Sequence, residues 1–242
     1  MPSSLPPRPP LRGLASWRDH CPNRCAVCHA DTVGATARVC TDCSRRFAAD
    51  VPRCHRCALQ APSGTPLCGA CLSAPPPWSR AIAACDYGYP WDGLLTAFKF
   101  HAALDLLPAL AGLMAARIPT PAAAIDLVLP VLLSAARLRE RGYNQAGLLA
   151  SQLARRLHLT CSADALLRVT DTPHQIALPR ERRAANVRGA FAIAPKLRLQ
   201  GLHVALIDDV MTTGATLGEL ARLLLEAGVA EVQVWVFART PA

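Results

Sequence analysis

The chain has 242 residues, 52% of them hydrophobic and only 18% charged, so it has the apolar mass for a core and cannot be disordered throughout. Its formal net charge is +9, carried almost wholly by arginine, because Lys99 and Lys196 are the only lysines. An arginine-rich face suits phosphate, pyrophosphate or nucleic acid, since the planar guanidinium fork grips oxyanions through paired hydrogen bonds.

Residues 1–16 are rich in proline, have no apolar run that could serve as a secretion signal, and are expected to be disordered. The most apolar stretches, 102–116 and 121–136, are interrupted by Asp105, Pro108, Asp126 and Pro130. Neither reaches the roughly 20 clean residues of a membrane span. The expectation is a cytoplasmic protein with no membrane insertion, where clustered cysteines mean metal or catalysis more often than disulfides.

Eight of the eleven cysteines form four C-x-x-C pairs: Cys25/Cys28, Cys40/Cys43, Cys54/Cys57 and Cys68/Cys71. Such a turn aims two thiolates at one tetrahedral ion, and two turns close the site against water. The spacing fits short ribbon-like hairpins and predicts two structural Zn2+ sites in a module over residues 17–74. Sequential pairing is the simplest; an interleaved one has the same spacing and stays open. A redox or iron–sulfur role suits four evenly spaced pairs less well. Cys21, His20, His29 and His55 read as bystanders. Residues 1–80 carry a formal +6, which two four-thiolate zinc sites lower to +2, too little for a strong electrostatic clamp on nucleic acid. Residues 75–79, which include Pro75, Pro76 and Pro77, read as a stiff linker.

From residue 80 to 242 the pattern alternates strand and helix. Residues 81–87 read as a strand, and 91–100 and 104–117 as helices. The apolar run 125–131 reads as a buried parallel strand. Residues 144–159 place Leu149, Leu153 and Leu157 at helical spacing. Strands are expected at 189–194 and 203–207, a helix at 215–227 closed by Gly228, and a last strand at 232–238. The alternation predicts an α/β fold, a mostly parallel sheet flanked by helices, with ligands beyond the carboxyl ends of its strands.

The most informative stretch runs from Val204 to Thr216: an apolar strand, then Asp208 and Asp209, then Thr212, Thr213, Gly214, Ala215 and Thr216 opening a helix. A helix start offers unpaired N–H groups to an anion, and Gly214 permits close backbone approach. Two acids beside an anion seat make sense for a ligand that also carries hydroxyls. A ribose 5-phosphate has both features.

This stretch resembles the signature of type I phosphoribosyltransferases. Earlier in the chain, Arg137 with Arg141-Gly142-Tyr143-Asn144-Gln145 resembles a motif of the ComF/GntX family. So do Thr172, Gln175 and Leu178, and the run containing Arg183, Asn186, Gly189, Ala190 and Phe191. Paired cysteines ahead of such a domain are family-like as well. The resemblance implies a type I phosphoribosyltransferase-like fold preceded by a double zinc ribbon, and 5-phosphoribosyl 1-pyrophosphate with Mg2+ as ligand. It implies that Asp208 and Asp209 hold the ribose hydroxyls. Met211, Thr212, Thr213, Gly214, Ala215 and Thr216 form the phosphate loop, with Arg141 and Asn144 adding to the binding site. Arg137 and Arg183 are the arginines expected to act on the leaving pyrophosphate, with Arg183 on a lid over 170–188. Lys99-Phe100 resembles a family pair, but reads most simply as helix surface. The family name links the chain to DNA uptake, leaving two expectations: a transferase, or a non-catalytic sensor or scaffold that engages single-stranded DNA or a helicase. Base stacking along 137–188 has little support, because Tyr143 is its one aromatic residue.

Overall fold

The structure, a computed structural model, describes residues 22–33, 38–119, 125–168, 189–195 and 197–241. The expected disordered segment 1–16 and the expected lid, with Gln175, Arg183 and Asn186, lie outside the described residues.

The chain opens with a small antiparallel hairpin, β1 (Pro22–Arg24) with β2 (Asp31–Val33), in which Asn23 faces Thr32. Two short helices follow, α1 (Thr41–Phe47) and α2 (Gly69–Ser73). Each starts at a cysteine, Cys40 and Cys68, that takes the extended N-cap conformation. The second pair of each cysteine group therefore sits on a helix start rather than in a second hairpin. Helix-start amides offer donors to sulfur there, and Cys43 N donates to Cys40 Sγ at 3.4 Å.

The larger part is a five-stranded parallel sheet in the order β3-β9-β8-β4-β5. Its strands are β3 (Arg80–Asp86), β4 (Leu127–Pro130), β5 (Thr160–Cys161), β8 (His203–Met211) and β9 (Glu231–Arg239). Between them run α3 (Trp91–Phe100), α4 (Leu107–Ala115), α5 (Ala135–Arg141), α6 (Gln145–Leu157) and α7 (Ala215–Glu226). Period-two alternation sends Leu129, Leu206 and Val234 to one face, where they meet Leu217, Leu220 and Leu224 of α7. Val128, Ile207, Trp235 and Phe237 go to the other face and meet Phe98, Leu110, Met114, Leu149 and Leu153. Burial on both faces explains why these strands read as unbroken apolar runs.

Three of the differences from the sequence expectation bear on the site. β8 runs on through Asp208 and Asp209 to Met211, because β9 pairs with it as far as Met211 opposite Arg239. The strand expected at 189–194 is β7 (Phe191–Ile193), which pairs antiparallel with β6 (Leu166–Arg168) in a separate two-stranded sheet. α5 was not anticipated; Ser134 caps it by accepting from Arg137 N at 3.3 Å, and Gly142 at φ 78° ends it. Among the described residues, no helix is long and apolar enough to cross a membrane.

Candidate functional site

A cleft of about 460 Å³ opens at the carboxyl ends of the central strands. Tyr87 follows β3, Val131 follows β4, and Thr240 follows β9; all three line it together with Asp208, Asp209, Thr212 and Thr216. Parallel sheets favour ligand sites at this edge because helix starts and loop amides converge there.

The acids differ in their surroundings. Asp209 is buried and takes the ammonium of Lys99 at 3.0 Å. Asp208 is half-buried, and its Oδ1 accepts from Asp209 N at 2.8 Å. Burial pushes the Asp208 carboxyl up to about 8; the charge of Asp209 adds to the rise and Lys99 offsets part of it. Asp208 therefore gives up its proton less readily than a free carboxyl.

Beyond Met211 the chain turns sharply into α7. Gly214 stands at φ 75° as the N-cap, and a Cβ there would lie 2.9 Å from the ring of Trp78. A side chain at that position would meet both backbone strain and a wall. Thr213 Oγ1 accepts from Ala215 N at 3.3 Å, which fixes the first turn. Thr212 is exposed and Thr216 half-buried, and both line the cleft, whereas Met211 is buried beneath the loop. A helix beginning at a cleft with its amides outward is an anion seat.

The opposite wall is cationic. Arg137 and Arg141 of α5 both line the cleft. Burial, and then the charge of Arg141, lower the pKa of Arg137, with Glu140 offsetting part of this. Two guanidiniums pressed together in this way favour an anion between them. The Arg141 guanidinium stacks on Phe100 at 4.6 Å and donates to Gln145 Oε1 at 3.2 Å. Asn144 caps α6 by accepting from Ala146 N at 3.1 Å, and its Nδ2 donates to Val131 O at 3.0 Å. Its side chain thus ties α6 to the end of β4, which sets the depth of the cleft.

Lys99 is the site residue that the sequence reading missed. It lies in the cleft, not on the helix surface, at the end of α3. Its pairing with Phe100 in a family-like motif was the signal available. Arg168 also lines the cleft, with its guanidinium 5.2 Å from the Phe191 ring and donating to Leu132 O at 3.4 Å.

The cysteines gather into two groups in sequential pairing, Cys25, Cys28, Cys40 and Cys43, then Cys54, Cys57, Cys68 and Cys71. Within each group the ligand atoms lie within 4.8 Å of one another. Tetrahedral zinc–thiolate bonds of about 2.3 Å put sulfurs about 3.8 Å apart. Cys28 and Cys40 are 3.7 Å apart at sulfur, and Cys57 and Cys68 are 3.6 Å apart, so the donor sets are compatible with two zinc sites. The two groups repeat one design. His29 and Ala58 each take a left-handed φ, 62° and 56°, directly after the first pair. Cys40 N donates to Cys25 Sγ, and Cys68 N to Cys54 Sγ, both at 3.3 Å.

Comparison with known proteins joins these observations. Residues 144–242, which hold α6, β8, the turn and β9, match the phosphoribosyl transferase domain family. DNA utilization protein YhgH of Escherichia coli (strain K12) is 36% identical over 224 residues, covering 90% of this chain and 98% of that protein. Competence protein F of Haemophilus influenzae is 33% identical over 222 residues, 89% of this chain and 96% of that protein. Competence protein ComFC of Bacillus subtilis (strain 168) is 36% identical over 104 residues, 43% of this chain and 40% of that protein. With the Escherichia coli and Haemophilus influenzae relatives matched over nearly their whole length, the chain belongs to the ComF family, and its sheet is a type I phosphoribosyltransferase fold.

Proposed function

We propose that this chain binds 5-phosphoribosyl 1-pyrophosphate in the cleft and transfers its phosphoribosyl group to an acceptor. One observation carries the reading: the acidic end of β8 and the helix start of α7 line the same cleft as Arg137 and Arg141. The amides and hydroxyls of residues 212–216 take the 5-phosphate, and Asp208 and Asp209 accept from the ribose hydroxyls. Arg137 and Arg141 face the pyrophosphate, which carries Mg2+ as part of the substrate. In the reaction the anomeric carbon–oxygen bond breaks, pyrophosphate leaves with the electron pair, and the acceptor's lone pair forms the new bond. No protein nucleophile is needed, because catalysis comes from positioning and from neutralising charge on the leaving group. Lys99 orients Asp209 through the ion pair at 3.0 Å.

We also assign Zn2+ to both cysteine groups, whose eight thiolates would hold two ions and staple short loops that have little core of their own. In this division residues 17–74 are a cysteine module and 80–242 the transferase domain. The setting proposed is the cytoplasm, in DNA uptake, as the family resemblance implies; the relatives are named for competence and DNA utilization.

A second reading has its own observation. Tyr87 and Phe100, 37% and 51% exposed, line the cleft, and Arg141 stacks on Phe100. The stacking partners that the 137–188 stretch lacks come instead from β3 and α3. This favours a non-catalytic sensor or scaffold that engages single-stranded DNA, or a helicase carrying it.

Three measurements check these assignments. Calorimetric titration with Mg2+ and 5-phosphoribosyl 1-pyrophosphate should show binding that weakens at least about tenfold in the Asp208→Asn/Asp209→Asn double variant. Ionised Asp208 is the better acceptor and its carboxyl is raised to about 8, so affinity should climb between pH 6 and 8 and flatten in Asp208→Asn. Equal affinity in the double variant, or a pH-independent wild type, contradicts the assignment. Metal analysis should return two zincs per chain; one zinc, or iron, contradicts the cysteine reading. An assay for pyrophosphate with bases, nucleosides and single-stranded DNA as acceptors separates the two functions. Release supports transfer, whereas binding without release, with DNA affinity lost in Phe100→Ala, supports the sensor.

A further inference from the structure

The two cysteine groups repeat one fold but meet the rest of the chain differently. The first docks on the α3–α4 side: Trp91 Nε1 donates to Phe47 O at 2.7 Å, and Arg38 pairs with Asp105 at 2.7 Å. The second lies beneath the phosphate loop. Ala58, fully buried, shares a core cluster with Trp78, Met211 and Leu217.

Two side chains connect this second knuckle to the loop. Arg239, the last residue of β9, is buried to 7% exposure. Its Nε donates to Cys57 O at 2.8 Å, and its Nη1 donates to Met211 O at 3.0 Å and also to Thr212 O. One guanidinium thus holds a carbonyl of the cysteine knuckle and the two carbonyls at the start of the loop. Trp78 supplies the second connection. Its indole N–H donates to Arg56 O at 2.5 Å, Arg56 donates back to Trp78 O, and its ring forms the wall against which Gly214 rests. Arg56 lies between Cys54 and Cys57, so both connections end on carbonyls whose direction the chelate sets.

We propose that the second cysteine site is the foundation of the phosphate loop, with Arg239 and Trp78 as positioning residues. Closing Cys54, Cys57, Cys68 and Cys71 around one ion fixes the Arg56 and Cys57 carbonyls. A buried guanidinium and a buried indole N–H both need those acceptors, because leaving either unmet in the core is costly. The loop then takes the geometry that meets them. Opening this site frees the carbonyls, and the turn at Gly214 loses both its floor and its anchor. Among the described residues, the first site reaches neither Arg239 nor Trp78.

Calling the loop a phosphate loop rests on the function proposed above, but the coupling is testable without any ligand. Amide hydrogen exchange is followed in the full-length, zinc-loaded protein, comparing peptides over residues 210–217 with peptides from α3. In Cys68→Ser and in Arg239→Met, exchange of the loop should accelerate at least about tenfold while α3 stays at the wild-type rate. Cys28→Ser, which opens the first site, should leave the loop unchanged. Trp78→Phe removes the N–H and shortens the ring beneath Gly214, and Arg239→Lys keeps the charge; both should give intermediate rates, and they decide the matter if Cys68→Ser unfolds. Wild-type loop exchange in both of these milder variants, or equal acceleration in Cys28→Ser, overturns the proposal. Failure to bind 5-phosphoribosyl 1-pyrophosphate would remove the functional reading and leave this result standing.

Discussion

The turn at Gly214 is the constraint on which the site depends. There the chain must leave the end of β8 and start α7 within three residues, in a left-handed conformation, over the face of a buried tryptophan. Glycine meets both demands at once. The consequence is directional: Thr212 and Thr216, on either side of the turn, line the same cleft as Asp208 and Asp209 of β8. A small backbone requirement thereby sets the relation between an anion seat and a pair of hydroxyl acceptors.

Charge gives the cleft its second organising principle. Acids on β8, the ammonium of Lys99, the guanidiniums of α5 and that of Arg168 occupy one concavity, so the site is polarised and positive on balance. A ligand with a phosphate at one end, hydroxyls in the middle and a more highly charged group at the other end matches that order. The raised Asp208 carboxyl reflects the same arrangement, since it is partly shut off from water beside the charge of Asp209, and Lys99 offsets only part of the rise.

Local chemistry made much of this legible. The apolar run before Asp208, the Thr-Thr-Gly-Ala-Thr turn and the C-x-x-C pairs each act over a few residues, and their spacing carries the geometry with it. α5 was partly legible, because Ser134 and Gly142 are ordinary cap residues around a short arginine-rich segment. Tertiary partners were not. Nothing in Pro75-Pro76-Pro77-Trp78 indicates that its tryptophan lies under a loop more than a hundred residues away, so the segment read as a spacer. Lys99 read as surface for the same reason, since its partner Asp209 comes from the other end of the domain. Exposed aromatics from β3 and α3 likewise meet only in space.

The central claim is that the turn between β8 and α7 holds a sugar phosphate. A crystal structure of the protein with ribose 5-phosphate tests this most directly. The account predicts the phosphate on the amides of residues 213–216, with the ribose hydroxyls at Asp208 and Asp209. A phosphate seated on Arg137 and Arg141 with the turn empty, or the sugar bound outside the cleft, would contradict it.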